Sequence, residues 1–134
     1  MNNKGFTLIE MLVVIAVVGI LAATVITSIG PARSKAKDSR IRSAVNQIRS
    51  LAEANYNAAE GKYDDITGDA EYTSLTGDIE ANDGTPGGGY DADNETYYFY
   101  SSLASDSDTY FCVDSAGNTY TGSSEPTGPT CPSE

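Results

Sequence analysis

The fold is decided by residues 11–32, which read MLVVIAVVGILAATVITSIGPA and contain no charged side chain. Counted back to Phe6, the apolar run is interrupted only by Glu10. About 20 apolar residues in a helix that rises ~1.5 Å per residue span the ~30 Å hydrocarbon core of a bilayer. Residues 6–31 are therefore predicted to form a membrane-spanning helix or a targeting segment.

An ordinary cleaved signal peptide fits this run poorly. Such peptides begin with basic residues and carry small residues just before the cut, whereas Lys4 is the only cation before the run. A cut after Ala23 places Leu21 at the outer small-residue position, and a cut after Gly30 places Pro31 next. Removal of the whole run is therefore not favoured.

Glu10 is the informative residue of the segment. A carboxylate in a lipid-facing helix costs roughly 2.5–3.5 kcal/mol on insertion scales, so such a residue usually marks a partnered functional site. The alternative is that Glu10 lies at the membrane interface, close to Lys4, and stays hydrated. The physical argument alone leaves both interpretations open.

Residues 4–23 read KGFTLIEMLVVIAVVGILAA and resemble the N-terminus of type IV prepilins and the related type II secretion pseudopilins. The shared pattern is a cationic stub that ends in Gly5, then Phe-Thr-Leu-Ile-Glu, then a long apolar run. The resemblance covers about 20 residues without a gap, and the remainder of the chain must be interpreted from its own residues.

The resemblance implies a processing and assembly route. Residues 1–5 would be a leader, removed by a prepilin peptidase that cuts between Gly5 and Phe6, and the new Phe6 amine would be methylated. Glu10 would pair with the Phe6 amine of a neighbouring subunit. An ammonium and a carboxylate are each costly alone in hydrocarbon but attract each other strongly there, so the pair would set the register of assembly.

Gly19 is a second candidate assembly residue. Ala16, Gly19 and Ala23 share one helix face, and the pair Gly19 and Ala23 allows close approach of helix backbones. The alternative is ordinary transmembrane composition. The resemblance also places Gly19 where pilin helices tend to unwind in filaments, and Gly30-Pro31 is the first helix breaker.

The charges are strongly asymmetric along the chain. The net charge is -11, and residues 63–134 contain 15 of the 19 acids and no Lys or Arg. This argues against nucleic-acid binding by most of the chain, since phosphate binding needs clustered cations. Five cations between Arg33 and Arg42 favour a cytoplasmic C-terminal part by the positive-inside rule, whereas the pilin resemblance implies that this part is exported.

Residues 32–60 are predicted to form an amphipathic helix that continues the apolar one. Apolar side chains recur every three or four residues and form one stripe that would pack on a C-terminal sheet: Ile41, Val45, Ile48, Leu51, Ala52, Tyr56 and Ala59. Gly61 is the predicted helix stop. The basic residues of this helix are interpreted as a solvated face, or else as contacts to lipid headgroups or a neighbouring subunit.

Residues 61–134 are predicted to form an acidic globular head. A turn-rich loop would occupy residues 64–95, followed by strands over 96–103, 109–114 and 118–121. Alternation places Tyr98 and Tyr100 on one face, and Tyr97 and Phe99 on the other. The fold class is α+β, with one long N-terminal helix packed on a small antiparallel sheet.

Cys112 and Cys131 are the only cysteines. Two cysteines in an exported acidic domain predict a disulfide, and two free buried thiols are the alternative. Many type IV pilins resemble this arrangement, with a disulfide-bounded C-terminal loop that is exposed on the filament.

Two acid clusters raise a calcium hypothesis, because alternating oxygen ligands are typical of calcium loops. The weak candidates are Asp91, Asp93, Glu95, Asp106 and Asp108. Neither cluster has a complete EF-hand spacing, so no metal site is assigned and a solvated acidic surface is favoured.

The sequence therefore predicts a type IV pilus-like filament subunit and not an enzyme. With no His in the chain, Ser-His and Cys-His nucleophile pairs cannot form. The expected partners are other copies of the chain, the prepilin peptidase, the inner-membrane assembly machinery and, before assembly, the membrane itself. The expected location is single-pass in the membrane and then extracellular. The alternatives are a periplasmic type II secretion pseudopilin and a membrane-anchored calcium-binding or adhesive domain.

Overall fold

A computed structural model describes residues 5–133, with the backbone alone at residues 27 and 28. Residues 1–4 of the expected leader and Glu134 lie outside the described residues. The chain divides into two compact units, Met1–Arg33 and Ser34–Glu134. Helix α1, Leu8–Ala54, begins in the first unit and ends in the second.

In the first unit, α1 carries large apolar side chains that are all exposed. The exposed fraction ranges from 49% at Val17 to 82% at Leu8. The helix begins two residues later than predicted, at Leu8. Pro31 lies inside the helix and does not end it.

In the second unit, the predicted apolar stripe is buried where it lies in α1, with Leu51 half-buried, whereas its predicted members Tyr56 and Ala59 lie beyond the helix and are exposed. Ile41, Val45, Ile48 and Ala52 are at most 2% exposed. The predicted helix end near residue 60 is wrong, because α1 ends at Ala54. Strand β1, Tyr56–Asn57, instead pairs antiparallel with β2, Lys62–Tyr63, and Gly61 in the connecting turn has a φ of 70°, which favours glycine.

The predicted loop over residues 64–95 is also wrong. It contains helix α2, Ala70–Ala81, and strand β3, Pro86–Tyr90. Helix α2 buries Ile79 completely and packs Tyr72 and Leu75 against the core. Few apolar residues recur along α2, so its helical period is faint. Strand β3 reads PGGGY, a composition that favours a turn when it is read without its partner strand.

The main sheet is a four-stranded antiparallel meander. Strands β4, Tyr97–Leu103, β5, Asp106–Asp114, and β6, Thr119–Gly122, follow β3 in the spatial order β3-β4-β5-β6. The three predicted strands are confirmed, with β5 extended at its start. Gly88 of β3 has a φ of 125°, and an added Cβ there would lie 2.2 Å from the carbonyl oxygen of Tyr98. The approach of β3 to β4 therefore requires glycine at this position.

The inner face of the sheet and the α1 stripe form one core. Tyr97 and Phe99 of β4 are at most 1% exposed, and their rings stack with centroids 5.5 Å apart. Phe111 and Val113 of β5 are buried on the same face. The predicted alternation is confirmed, and the second unit has the α+β layout of a helix packed on an antiparallel sheet.

The hydroxyls of Tyr97, in the core, and of Tyr90, partly buried against the core, both form hydrogen bonds. The Tyr97 hydroxyl donates to Oε1 of Glu53 at 2.6 Å, and burial raises the pKa of Tyr97 above its ordinary value. Burial also raises the pKa of Tyr90 to about 12. The Tyr90 hydroxyl accepts the Ile66 backbone N–H at 3.4 Å.

We expect the head to lose stability at alkaline pH. In the folded chain, Tyr90 and Tyr97 keep their protons above pH 10, the ordinary pKa of tyrosine, whereas the unfolded chain releases them. The free energy of unfolding should therefore be constant below pH 10 and fall as the pH rises toward 12. Urea unfolding of the full chain in detergent, monitored by circular dichroism, measures the free energy of unfolding at each pH.

The double variant Tyr90→Phe with Tyr97→Phe should flatten the decline of this free energy above pH 10, and Tyr56→Phe, on an exposed ring, should leave the decline unchanged. An unaltered decline in the double variant would refute this assignment.

Candidate functional site

The bond between Gly5 and Phe6 lies just outside the N-terminus of α1. Neither residue belongs to a helix or strand. Phe6 is 76% exposed, and no atom lies within 4 Å of a Cβ added at Gly5. The predicted processing residues therefore stand in accessible, non-helical backbone before Leu8, the first residue of α1.

Thr7 and Glu10 form a reciprocal cap at the start of α1. Oε2 of Glu10 accepts the Thr7 backbone N–H at 2.8 Å and the Thr7 hydroxyl at 2.7 Å. The Glu10 backbone N–H donates to the Thr7 hydroxyl oxygen at 3.4 Å. Thr7 was missed as a site residue, although Thr-x-x-Glu before an apolar run is the sequence pattern of a capping box. The cap gives Glu10 a local structural role in addition to the predicted assembly role.

Gly19 lies on an open face of α1. No atom lies within 4 Å of a Cβ added at this position, and Ala16 and Ala23 on the same face are exposed. By length and composition, α1 is able to cross a membrane, with a mean hydropathy of 2.7 in its most apolar window. The face is therefore available to lipid or to another helix.

The second predicted site is the C-terminal disulfide of the head. Cys112 and Cys131 form a disulfide that joins β5 to the C-terminal segment across 19 residues, as predicted. Both cysteines are buried, and Pro126 between them is less than 2% exposed. A loop of this size contributes roughly 3 kcal/mol in the chain-entropy account.

Asp114 is a buried acid that sequence reasoning did not single out. It is 0% exposed, and its Oδ2 accepts the Cys131 backbone N–H at 3.1 Å. Oδ1 accepts the Asn118 backbone N–H at 2.8 Å, and Oδ2 also accepts the Asn118 side-chain amide at 3.1 Å. Asp114 thus joins the β5–β6 turn to the segment that the disulfide tethers.

Comparisons with known proteins bear on the N-terminal segment. The family model for the prokaryotic N-terminal methylation motif matches residues 1–26. The type IV wide pilus major component PilA4 of Thermus thermophilus is 49% identical over 45 residues. The N-terminal segment of the chain thus carries the methylation motif and is similar to the corresponding segment of a type IV pilin.

The pilin similarity covers only part of each protein. It spans 34% of this chain and 34% of the Thermus thermophilus pilin, about a third of its length. No solved structure matches the chain significantly. The head is therefore described from its own contacts.

Two of the acids proposed for calcium, Asp91 and Asp106, make turn contacts in the head. Oδ1 of Asp91 accepts the backbone N–H groups of Glu95 and Thr96 at 2.7 and 3.1 Å, and the hydrogen bond from Thr96 lowers the pKa of Asp91. Asp106 accepts the Asp108 backbone N–H at 3.0 Å. Among residues 5–133, no group of three or more acids or cysteines is arranged to hold a metal ion. Asp93, Glu95 and Asp108 are exposed, so the described contacts support turns and give the calcium hypothesis no ligand set.

Two cations of the basic stretch contact the head of their own chain. Lys37 forms an ion pair with Asp83. Arg42 lies 4.9 Å from the ring centroid of Phe111 and donates to the Thr121 hydroxyl at 3.0 Å. The prediction of a wholly solvated basic face is therefore wrong for Lys37 and Arg42, whereas Arg40 is exposed.

We expect Asp114→Ala to destabilise the head by about 2 kcal/mol, because it leaves the buried Cys131 N–H without an acceptor, at roughly 1–3 kcal/mol, and also removes the acceptor of the hydrogen bonds from the exposed Asn118. Urea unfolding of the oxidised full chain measures the loss. The matched control is Asp106→Ala, which removes an exposed acid with turn hydrogen bonds and should cost less than about 1 kcal/mol. Equal losses in the two variants would contradict the role given to Asp114.

Proposed function

We propose that this chain is a structural subunit of a type IV pilus-like filament, made as a precursor and assembled through its N-terminal helix. The observation that carries the proposal is the methylation motif over residues 1–26, together with the exposure of the large apolar side chains of α1 in the first unit. A surface of this kind requires lipid or other helices as partners. The chain is interpreted as a building block and not as an enzyme.

Processing is proposed at the bond between Gly5 and Phe6. A peptidase needs extended backbone at the bond that it cuts, and this bond precedes the first helical residue, Leu8. Cleavage would remove residues 1–5, leave the apolar helix in the membrane and create the Phe6 amine for methylation. The expected processing partner is a prepilin peptidase.

Assembly is proposed to depend on the charge of Glu10. Before assembly, its carboxylate is held by the Thr7 N–H and hydroxyl of its own chain, which lowers the cost of keeping it in hydrocarbon. The Phe6 amine of a neighbouring copy would then provide the opposite charge. The small residues around Gly19 would allow the helices to pack closely in the filament.

The location follows from the same steps. The chain would be a single-pass membrane protein that meets the inner-membrane assembly machinery, and would then lie in an extracellular filament. The alternative is a type II secretion pseudopilin in the periplasm, which shares the N-terminal motif. Imaging intact cells with an antibody against residues 96–134 separates the two, since labelled surface fibres support a pilus and their absence supports a pseudopilus.

Substitution of Gly5 by leucine is expected to leave uncleaved precursor in the membrane, because the bulky side chain stands next to the proposed bond. Intact mass and N-terminal sequencing of the purified chain measure this. The wild-type chain should start at a methylated Phe6. The control Thr7→Ser, on the far side of the bond, should keep cleavage intact. A mature wild-type chain that starts at Met1, or beyond residue 29, would overturn the proposed processing.

Glu10→Gln distinguishes the assembly role from the capping role. Glutamine retains the capping hydrogen bonds but removes the charge, so cleavage should continue while the number of filaments falls at least tenfold. Glu10→Ala, which removes both the cap and the charge, should also lower assembly without blocking cleavage. Electron microscopy of filaments and intact mass of the membrane fraction are the two measurements. Normal filaments from Glu10→Gln would exclude the charge pair and leave the cap as the reason for this acid.

A further inference from the structure

The outer face of the main sheet carries a corner of tyrosine rings. Tyr98 and Tyr100 of β4 stack, with ring centroids 6.1 Å apart and planes 12° apart. Tyr110 of β5 meets Tyr100 at a centroid distance of 6.0 Å and an interplanar angle of 70°. All three residues are partly exposed. Two aromatic surfaces therefore meet at a steep angle on a face that does not belong to the core.

A glycine on the adjacent strand leaves room for the Tyr100 ring. Gly87 of β3 is paired with Tyr100. A Cβ added at Gly87 would lie 2.5 Å from Cζ of Tyr100. The Tyr100 ring thus occupies the space above β3, which holds it at the corner.

The corner opens into a cavity of about 170 Å³. Glu125, from the segment between β6 and Cys131, lies at its wall, and its Oε1 accepts the Tyr100 hydroxyl at 3.1 Å. Burial and, to a lesser extent, this hydrogen bond raise the pKa of Tyr100. The cavity thus combines aromatic carbon, a proline ring, hydroxyls and a carboxylate from residues far apart in sequence: Pro86, Tyr100, Ser102, Ser107, Tyr110 and Glu125.

The charge of the surrounding chain selects the class of ligand. Residues 63–134 contain 15 acids and no Lys or Arg, so the segments that form the cavity supply no competing cation. Aromatic faces attract cations through their quadrupole, and pockets that combine such rings recognise alkylated ammonium groups. The cavity is smaller than the roughly 300–1,000 Å³ that hold a drug-sized ligand, so it suits one head group.

We propose that the cavity formed by Tyr100, Tyr110 and Glu125 binds an organic ammonium group. The aromatic rings and Pro86 contact its alkyl carbons, and the Glu125 carboxylate balances its charge. This site lies in the head and is independent of the N-terminal segment on which the filament proposal rests. It gives the subunit a ligand-binding function besides assembly.

The test uses the oxidised full chain in a non-ionic polyoxyethylene detergent, with ring-labelled ¹³C-tyrosine. Choline chloride is titrated, and so is 3,3-dimethyl-1-butanol, which has nearly the same shape but no charge. Choline should shift the Tyr100 and Tyr110 signals to saturation, and the alcohol should bind at least fivefold more weakly. Equal binding of the alcohol, no saturable shift with choline, or shifts produced instead by neutral sugars would each overturn the proposal.

Variants locate the site. Glu125→Gln keeps the shape of the wall but removes the charge, and should weaken choline binding roughly threefold to fivefold, as expected for a partly exposed charge contact. Tyr110→Leu should abolish saturation. The matched control is Glu71→Gln, which removes the same charge from an exposed position on α2 and should leave binding unchanged. A circular dichroism spectrum of each variant checks that the head is folded. An equal loss of choline binding in Glu71→Gln and Glu125→Gln would show a general attraction of choline to the acidic chain and would overturn the proposed site.

Discussion

The apolar surface of residues 8–26 is the constraint on which the rest of the molecule depends. Every side chain in this stretch of α1 is exposed, and each CH₂ group kept in water forgoes about 0.8 kcal/mol. The first unit therefore does not bury its own hydrophobic surface. In the proposed function, lipid before assembly and neighbouring helices after it are the two environments that cover this surface. The Thr7–Glu10 cap places the single acid of this stretch at the end of the helix, where its carboxylate contacts polar groups of its own chain.

Because the side chains of residues 8–26 are exposed, the head has a core that is built from residues of the second unit. One stripe of α1, from Ile41 to Ala52, covers the inner face of β4 and β5. Polar contacts strengthen the same junction, since Asp38 accepts the Ser105 backbone N–H at 3.0 Å and Lys37 pairs with Asp83. On the outer face, the disulfide and Asp114 hold the C-terminal segment to β5. These contacts hold the segment that contains Glu125 beside Tyr100. The proposed ligand site therefore depends on the disulfide and on Asp114.

Several elements were predictable because their signal is local. Alternation in TYYFYSSL placed Tyr97 and Phe99 in the core, and spacing of three and four residues gave the α1 stripe. The pair of cysteines gave the disulfide. In contrast, α2 was missed because Ile79 alone is fully buried in it. Strand β3 was missed because its run of glycines favours a turn when it is read alone, whereas in the fold Gly87 packs under the Tyr100 ring and Gly88 against the Tyr98 backbone. The helix end at Ala54 is set by the pairing of β1 with β2, which competes with helix continuation beyond that residue.

The sequence by itself determined that the chain has an uncovered apolar helix with a pilin-type start, an acidic head and one possible disulfide, because periodicity, charge and motif are properties of neighbouring residues. Only the tertiary structure decided that Asp114 binds Cys131, that Lys37 and Arg42 contact the head, and that Glu125 meets Tyr100. Those contacts join residues 17 to 79 positions apart. Their partners are chosen by the register of the sheet and the path of the chain, which no local pattern specifies.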